Sequence, residues 1–283
     1  MSKRTALLGG IAVVLALAAG ATWWETRGPG ADTPGYASPD NAAEETLPVP
    51  PIPPRIAEGA DYERCLGMLA TDPTGARDFA DAWVATAGGD GATHCLALAN
   101  VALGEPDTGA DQMDKLARAT KAPAAARASI YGQAGQAWLM AGAPERALAS
   151  ITLALSMTPD DPDLLIDRSV AEGTMDRYHD AVDDLTKALD IDARRPDALV
   201  LRAAAWRHLD QLDLAQDDVD RAFAMDPENA DALLERGILR QRRGDRAGAR
   251  RDWELASQLS PDSATGDLAQ QNLALLDAGP DRR

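Results

Sequence analysis

Slid against itself, the sequence comes into register at an offset of 34 residues. Ala147, Ala181, Ala215 and Ala249 recur at that interval, and Ala154, Ala188, Ala222 and Ala256 follow them seven residues later. Between each pair stands a bulky apolar residue: Ile151, Leu185, Val219 and Trp253. Pro159, Pro227 and Pro261 close three of the four units, and Gly142 and Gly244 precede the first alanine of their units by five residues. A period of this length marks stacked supersecondary units, none of which buries its apolar face alone. Positions four and seven after the first alanine share one face of a helix. Alanine lets two helices approach closely, the bulky residue fills the gap to the neighbouring hairpin, and the closing proline stops the helix. Composition points the same way. Only nine Val, eight Ile and 4% aromatic residues leave little material for a β-sandwich or barrel, whereas abundant Ala, Leu, Asp, Glu and Arg favour helices. The 283 residues suffice for one or two domains with a sizeable core.

The pattern resembles the tetratricopeptide repeat family. The first unit carries Tyr131, Gly135, Trp138, Gly142, Ala147, Ile151, Ala154 and Pro159; the second Leu165, Tyr178, Ala181, Leu185 and Ala188. The third carries Leu199, Trp206, Ala215, Val219, Ala222 and Pro227, and the fourth Leu233, Gly237, Gly244, Ala249, Trp253, Ala256 and Pro261. Two departures stand out. Arg168, Arg202 and Arg236 replace the usual first-helix Leu, and Asp176 and Asp210 replace the mid-hairpin Gly; both are expected to loosen packing locally without changing the fold. The resemblance covers about half the chain and implies an all-α solenoid of helical hairpins, not a particular ligand.

Around the strong repeats at 128–262 the organisation is less regular. Residues 60–127 read as degenerate helical repeats: Gly104, Ala110, Ala117 and Pro123 outline one hairpin, spaced 37 residues from the next, and 60–88 outline another with Pro73 at its turn. Residues 263–283 read as a capping helix, Asp267–Leu276, and a tail; a solenoid's terminal face must be shielded from water. At the other end, Lys3 and Arg4 precede an uncharged run from Thr5 to Trp24. Twenty helical residues span about 30 Å, the thickness of a bilayer's hydrocarbon. The flanking charge places the N-terminus in the cytoplasm and the rest of the chain outside it. Trp23 and Trp24 suit an uncleaved anchor spanning the bilayer with residues 5–24, and Ala19-Gly20-Ala21 suits a cleaved signal peptide. Both remain open, the first predicting an inner-membrane protein with a periplasmic solenoid, the second a soluble periplasmic one cut near Ala21. Residues 25–59 form a proline-rich tether, stiffest at Leu47–Pro54, where polyproline II is expected.

Cys65 and Cys95, thirty residues apart, are the only cysteines. Export would favour a disulfide between two neighbouring first helices; buried free thiols are the alternative. His94, His179 and His208 are isolated in sequence; His208, near the end of a first helix, reads as an ordinary surface or packing histidine, with a position at the groove as the alternative. No Gly-rich phosphate loop, GxSxG or HExxH occurs. Asp160, Asp161 and Asp163 carry the charge of a calcium cluster without its twelve-residue loop, and suit a helix N-terminus better. No enzyme, cofactor or metal site is therefore expected; an enzymatic reading would need a site in 60–127, for which no constellation is present.

Binding is the expected chemistry. Stacked first helices line a concave groove, where the repeat phase places Gln136, Ile166, Val170, Val200, Ala204, Leu234 and Ile238. These are mostly apolar, and the Lys/Arg/Asn carboxylate clamp of some tetratricopeptide proteins is not matched. An apolar or amphipathic peptide segment is the natural guest, unless these residues merely fill contacts between hairpins. The net charge of −17 argues against nucleic acid as partner. Charge is also segregated: Asp160–Asp192 holds eleven acids and three bases, while Arg240, Arg242, Arg243, Arg246, Arg250 and Arg251 crowd the last hairpin. That basic patch reads as a solvated face or as a dock for an acidic partner or lipid headgroup. The whole describes a protein-interaction scaffold of the bacterial envelope. By analogy alone it would be an accessory subunit in cytochrome c maturation or outer-membrane biogenesis.

Overall fold

The computed structural model describes residues 55–278. The membrane or signal segment at 5–24, the tether up to Pro54 and the last five residues lie outside them. Thirteen helices follow one another, with no strand among the described residues. They pair into six antiparallel hairpins: α1 (Ala60–Met68) with α2 (Pro73–Ala85), α3 (Gly89–Ala102) with α4 (Pro106–Ala119), and α5 (Ala124–Met140) with α6 (Pro144–Leu155). The array continues with α7 (Pro162–Thr174) and α8 (Tyr178–Ile191), α9 (Pro196–His208) and α10 (Leu212–Met225), then α11 (Ala230–Arg242) and α12 (Arg246–Leu259). The last helix, α13 (Ala264–Ala278), packs on α12 and α11. Successive first helices touch one another (α5 with α7, α7 with α9, α9 with α11), which makes the stack a solenoid. No described helix is long and apolar enough to cross a membrane.

Local chemistry sets the helix boundaries. Pro73, Pro106, Pro144, Pro162 and Pro196 open their helices, where a missing N–H costs nothing. Asp72, Asp161, Asn229 and Asp245 accept hydrogen bonds from first-turn N–H groups. Asp161 thus caps α7, with bonds of 3.1 and 3.3 Å to the Asp163 and Leu164 amides. Each hairpin from α3 onward reverses through one left-handed residue: Gly104, Gly142 and Gly244 (φ 82°, 69° and 86°), and in the middle two Asp176 and Asp210 (φ 60° and 58°). Asp tolerates this conformation better than most residues with a Cβ, so these turns keep the glycine geometry. The eight phased alanines are at most 2% exposed, and Ile151, Leu185, Val219 and Trp253 at most 1%.

The three first-helix arginines do not loosen the array as expected. Each clamps an aspartate sixteen residues later, on the second helix of its own hairpin. Arg168 bonds Asp184 through Nε and Nη2 at 2.5 and 2.6 Å, Arg202 bonds Asp218 at 2.8 and 2.8 Å, and Arg236 bonds Asp252 at 3.1 and 2.8 Å. Arg202 adds a 3.0 Å bond to Thr186 Oγ1. The planar guanidinium matches the carboxylate bidentately, so the polar substitution is locked instead of left open. In the α5–α6 hairpin the same two positions are Ala134 and Ser150, and both are buried. The pair changes as a unit. Beside the first clamp sits Glu172, 5% exposed, whose Oε2 has no hydrogen-bond partner. Burial, helped by the nearby Asp184 charge, pushes its carboxyl up to about 7.

At the N-terminal end, Cys65 of α1 and Cys95 of α3 are disulfide-bonded, their Cα atoms 6.3 Å apart. Only Tyr62 and Cys65 of α1 are buried. The helix is held chiefly by this bond and by Tyr62, whose hydroxyl lies 2.6 Å from His94 Nδ1.

Candidate functional site

The first helices α3, α5, α7, α9 and α11 form one continuous face, stitched by polar contacts between neighbours. His94 of α3 meets Gln133 of α5 at 2.6 Å. Gln136 of α5 donates to Asp167 of α7 at 2.8 Å. Arg207 of α9 forks onto Glu235 of α11, with Nη2 at 3.3 Å from Oε2 and Nε on Oε1. Gln133, Asp167, Leu201 and Glu235 occupy one repeat position at intervals of 34 residues. This position therefore reads the preceding first helix.

Burial shapes the electrostatics of this row. Desolvation pushes the Asp167 carboxyl up to about 7, against the lowering effect of its Gln136 bond. Glu235 is also raised by burial, with Arg207 opposing. His94 is 4% exposed and its imidazole is pushed down by burial, so the neutral ring bridges Tyr62 and Gln133.

Three cavities open along the face. One of about 480 Å³ lies between α7, α8 and α9, with Val170, Thr174, Ala204 and His208 in its wall. At its rim the rings of Tyr178 and His208 stack 4.2 Å apart. A second, about 470 Å³, lies between α5 and α7 and is lined by Ser129, Gln136, Asp163 and Asp167 among others. A smaller one of about 160 Å³ adjoins Arg55, Tyr62 and His94.

Against this geometry the expected groove residues divide. Gln136 is exposed; Val200, Ala204, Leu234 and Ile238 are half-buried along the face. Ile166 and Val170 are 2% and 3% exposed in the core, which favours the alternative that such residues fill contacts between hairpins. Val170 only touches the larger cavity. The face is more polar than the sequence suggested, because Gln133, Asp167, Arg207 and Glu235 were not singled out. For Gln133, Asp167 and Glu235 the signal was a hydrogen-bonding side chain at three of the four positions of one repeat phase; Arg207 lies off that phase and had no such signal.

The basic patch also reads differently. Arg240 bonds Asp252 at 2.7 Å. Arg242 donates to the Arg207 carbonyl at 3.2 Å, and Arg243 bonds Asp213 at 2.8 Å, tying the last hairpin to the preceding one. Arg246 donates to the Leu276 carbonyl at 2.6 Å, and Arg250 pairs with Asp277 of the cap. Five of the six arginines thus serve contacts within the array, and only Arg251 is exposed without an ion pair among the described residues. Among the described residues no group of three His, Cys, Asp or Glu side chains is placed to hold a metal ion.

No protein-family model matches the sequence, and a search of curated proteins finds no match. Solved structures do resemble it. Pseudomonas aeruginosa pilF superposes with a TM-score of 0.58 at 17% identity, over 75% of this chain and 96% of that one. MamA from Desulfovibrio magneticus RS-1 gives 0.53 at 19% identity, over 62% of this chain and 97% of that one. The Cut9–Hcn1 hetero-tetramer of the APC/C gives 0.60 at 16% identity, over 75% of this chain but 42% of that one. At these identities the likeness is one of fold. With the 34-residue phase, the buried alanine ladder and six stacked hairpins, the chain has the fold of an α-solenoid of tetratricopeptide-like helical hairpins.

Proposed function

We propose that this chain is a non-enzymatic scaffold that binds segments of other proteins along its first-helix face. The carrying observation is that face itself: three cavities in a row, walled by half-buried Ala204 and by polar side chains such as Gln133, Gln136 and Ser129, with half-buried Val200, Leu234 and Ile238 on the same face. Side-chain pockets between polar ridges are what an extended or helical guest requires. We further propose that residues 5–24 hold the scaffold at the outer face of a bacterial inner membrane. The Cys65–Cys95 disulfide supports export, since such bonds persist in oxidising compartments. The tether would then carry the solenoid clear of the bilayer.

Site-directed photo-cross-linking in the full chain tests the scaffold reading. A cross-linker at Ala204 or Ile238 is expected to trap a discrete partner that the same group at Leu255, an exposed second-helix residue, does not trap. Identical adducts from all three positions would refute binding at this face. An intact mass lacking about the first 21 residues would replace the anchor with a cleaved signal peptide.

A further inference from the structure

We propose that the cavity between α5 and α7 is a subsite for a guanidinium group, an arginine side chain of the bound segment, with Asp167 as its counter-ion. The inference rests on the scaffold reading and names the chemistry of one part of that face.

The solenoid holds an internal precedent. Asp167 and Glu235 stand at the same repeat position, two units apart, both buried (6% and 5% exposed) and both turned to the preceding first helix. Glu235 receives a bidentate arginine from that helix. Asp167 receives only the neutral amide of Gln136, on one oxygen. No other side chain among the described residues hydrogen-bonds it, and its carboxyl lines a cavity of about 470 Å³. Arg195 acts on it only at a distance while pairing with Asp163 and Asp197; a desolvated carboxylate with no cation bonded to it is costly, and a desolvated charge-assisted fork repays that cost.

The neighbouring acids do not compete for this role. Asp161 is occupied in capping α7. Asp163 pairs with Arg195 at 2.7 Å, and Arg195 also holds Asp197 at 2.8 Å. The cavity still offers acceptors beyond Asp167. Gln136 gives its N–H to Asp167, which leaves its amide oxygen free, and the Ser129 hydroxyl lines the same wall. A guanidinium carries five donors and no acceptor, and these three groups match it. A carboxylate guest would face Asp161, Asp163 and Asp167 together and be repelled.

The test uses the full chain with ¹³C-labelled aspartate carboxyls, titrated at pH 8 with N-acetyl-arginine amide and, separately, N-acetyl-citrulline amide, which keeps the shape and loses the charge. The arginine probe is expected to shift the Asp167 carboxyl resonance saturably, and at least tenfold more tightly than citrulline. Asp167→Asn, followed through the labelled Asp161 and Asp163 carboxyls of the same cavity, should remove that preference. Ser129→Trp, which fills the cavity and keeps the Asp167 carboxylate, should abolish the response and guards against a misfolded first variant. Equal response to the two probes overturns the proposal, as does a preference that survives Asp167→Asn. So does silence of the Asp167 resonance up to roughly 50 mM probe, where a millimolar site would be saturated. Cross-linking at Ala204 and Ile238 reads the scaffold independently. Lost cross-links with an intact arginine response would sink that reading alone, and intact cross-links without the response would sink this subsite alone.

Discussion

The Arg–Asp clamps make a quantitative claim about what holds each hairpin shut, and Arg202 with Asp218 is the place to measure it. Arg202 is 14% exposed at its side chain and Asp218 4%, and two 2.8 Å bonds join them, with a third bond to Thr186. Truncation by Arg202→Ala leaves a buried carboxylate with one remaining cation, Arg221, at 3.4 Å and half exposed. Breaking a buried pair from one side costs about 3–5 kcal/mol. The residual Arg221 contact places Arg202→Ala near the lower end, about 3 kcal/mol. Asp218→Ser should cost less, about 1–2 kcal/mol, because the released guanidinium has a route to water. The double substitution recreates the Ala134 and Ser150 pair that the α5–α6 hairpin already uses. It should therefore cost no more than about 2 kcal/mol, a coupling of at least ~2 kcal/mol between the two sites. Urea unfolding followed by circular dichroism gives the four corners of the cycle. Hydrogen exchange in α9 and α10 checks that the loss is local, since solenoid hairpins report on their neighbours only. If the single losses simply add, within ~0.5 kcal/mol, the clamp is not a unit and the arginines are no more than long surface side chains.

Three further outcomes follow from other parts of the array. Reducing the Cys65–Cys95 bond, or replacing both cysteines by Ala, should free α1; a bridge across 30 residues restrains the unfolded chain by about 3–4 kcal/mol, and exchange protection should fall in α1 while α5–α12 keep theirs. Glu172, raised from 4.5 to about 7, holds a proton in the folded state that the unfolded chain has already released. Its contribution is thus full below about pH 4 and is lost as pH rises to about 7; Glu172→Gln should match the parent near pH 4 and exceed it at pH 8 by up to ~3 kcal/mol, and a pH-independent difference would contradict the assignment. At Gly237 an added Cβ would meet the Trp253 indole nitrogen at 2.3 Å, so Gly237→Ala should lower stability by about 1–3 kcal/mol despite alanine's better helix propensity, with a shift in Trp253 fluorescence; an increase in stability would mean the two helices have slack.

What the sequence disclosed and what it concealed divide along a physical line. The alanine ladder was legible because helix–helix approach inside a hairpin needs small residues at fixed phase, and Ala147 and Ala154 meet that need whatever stands outside. The turns at Asp176 and Asp210 were legible as glycine replacements, and their left-handed φ values show that the turn geometry outlasted the glycine. The clamps were written in the same phase: Arg168, Arg202 and Arg236 recur every 34 residues, and so do Asp184, Asp218 and Asp252. They went unread because a separation of sixteen crosses a hairpin, and only the packing register reveals that the two meet. The disulfide was open for a related reason, since composition fixes neither the compartment nor the angle between α1 and α3.

For residues whose surroundings come from the next hairpin, the sequence left two readings open. Ile166 and Val170 looked like groove lining from their own helix, and neighbouring hairpins bury them. The six arginines of the last hairpin were open between a solvated face and a docking patch, and the preceding hairpin and the cap engage four of them. In each case a residue that seemed to await a guest had a partner in cis. That regularity gives Asp167 its meaning. In an array where the buried acids Asp184, Asp218, Asp252 and Glu235 each have an arginine bonded to them, a buried carboxylate on the open face that bonds only an amide is the exception. Glu172, the other acid short of a full partner set, lacks a cavity lined by its own carboxyl and has Arg177 within 3.6 Å; its consequence is a dependence of stability on pH. Asp167 lies beside a cavity of about 470 Å³, so its missing cation can arrive from outside the chain.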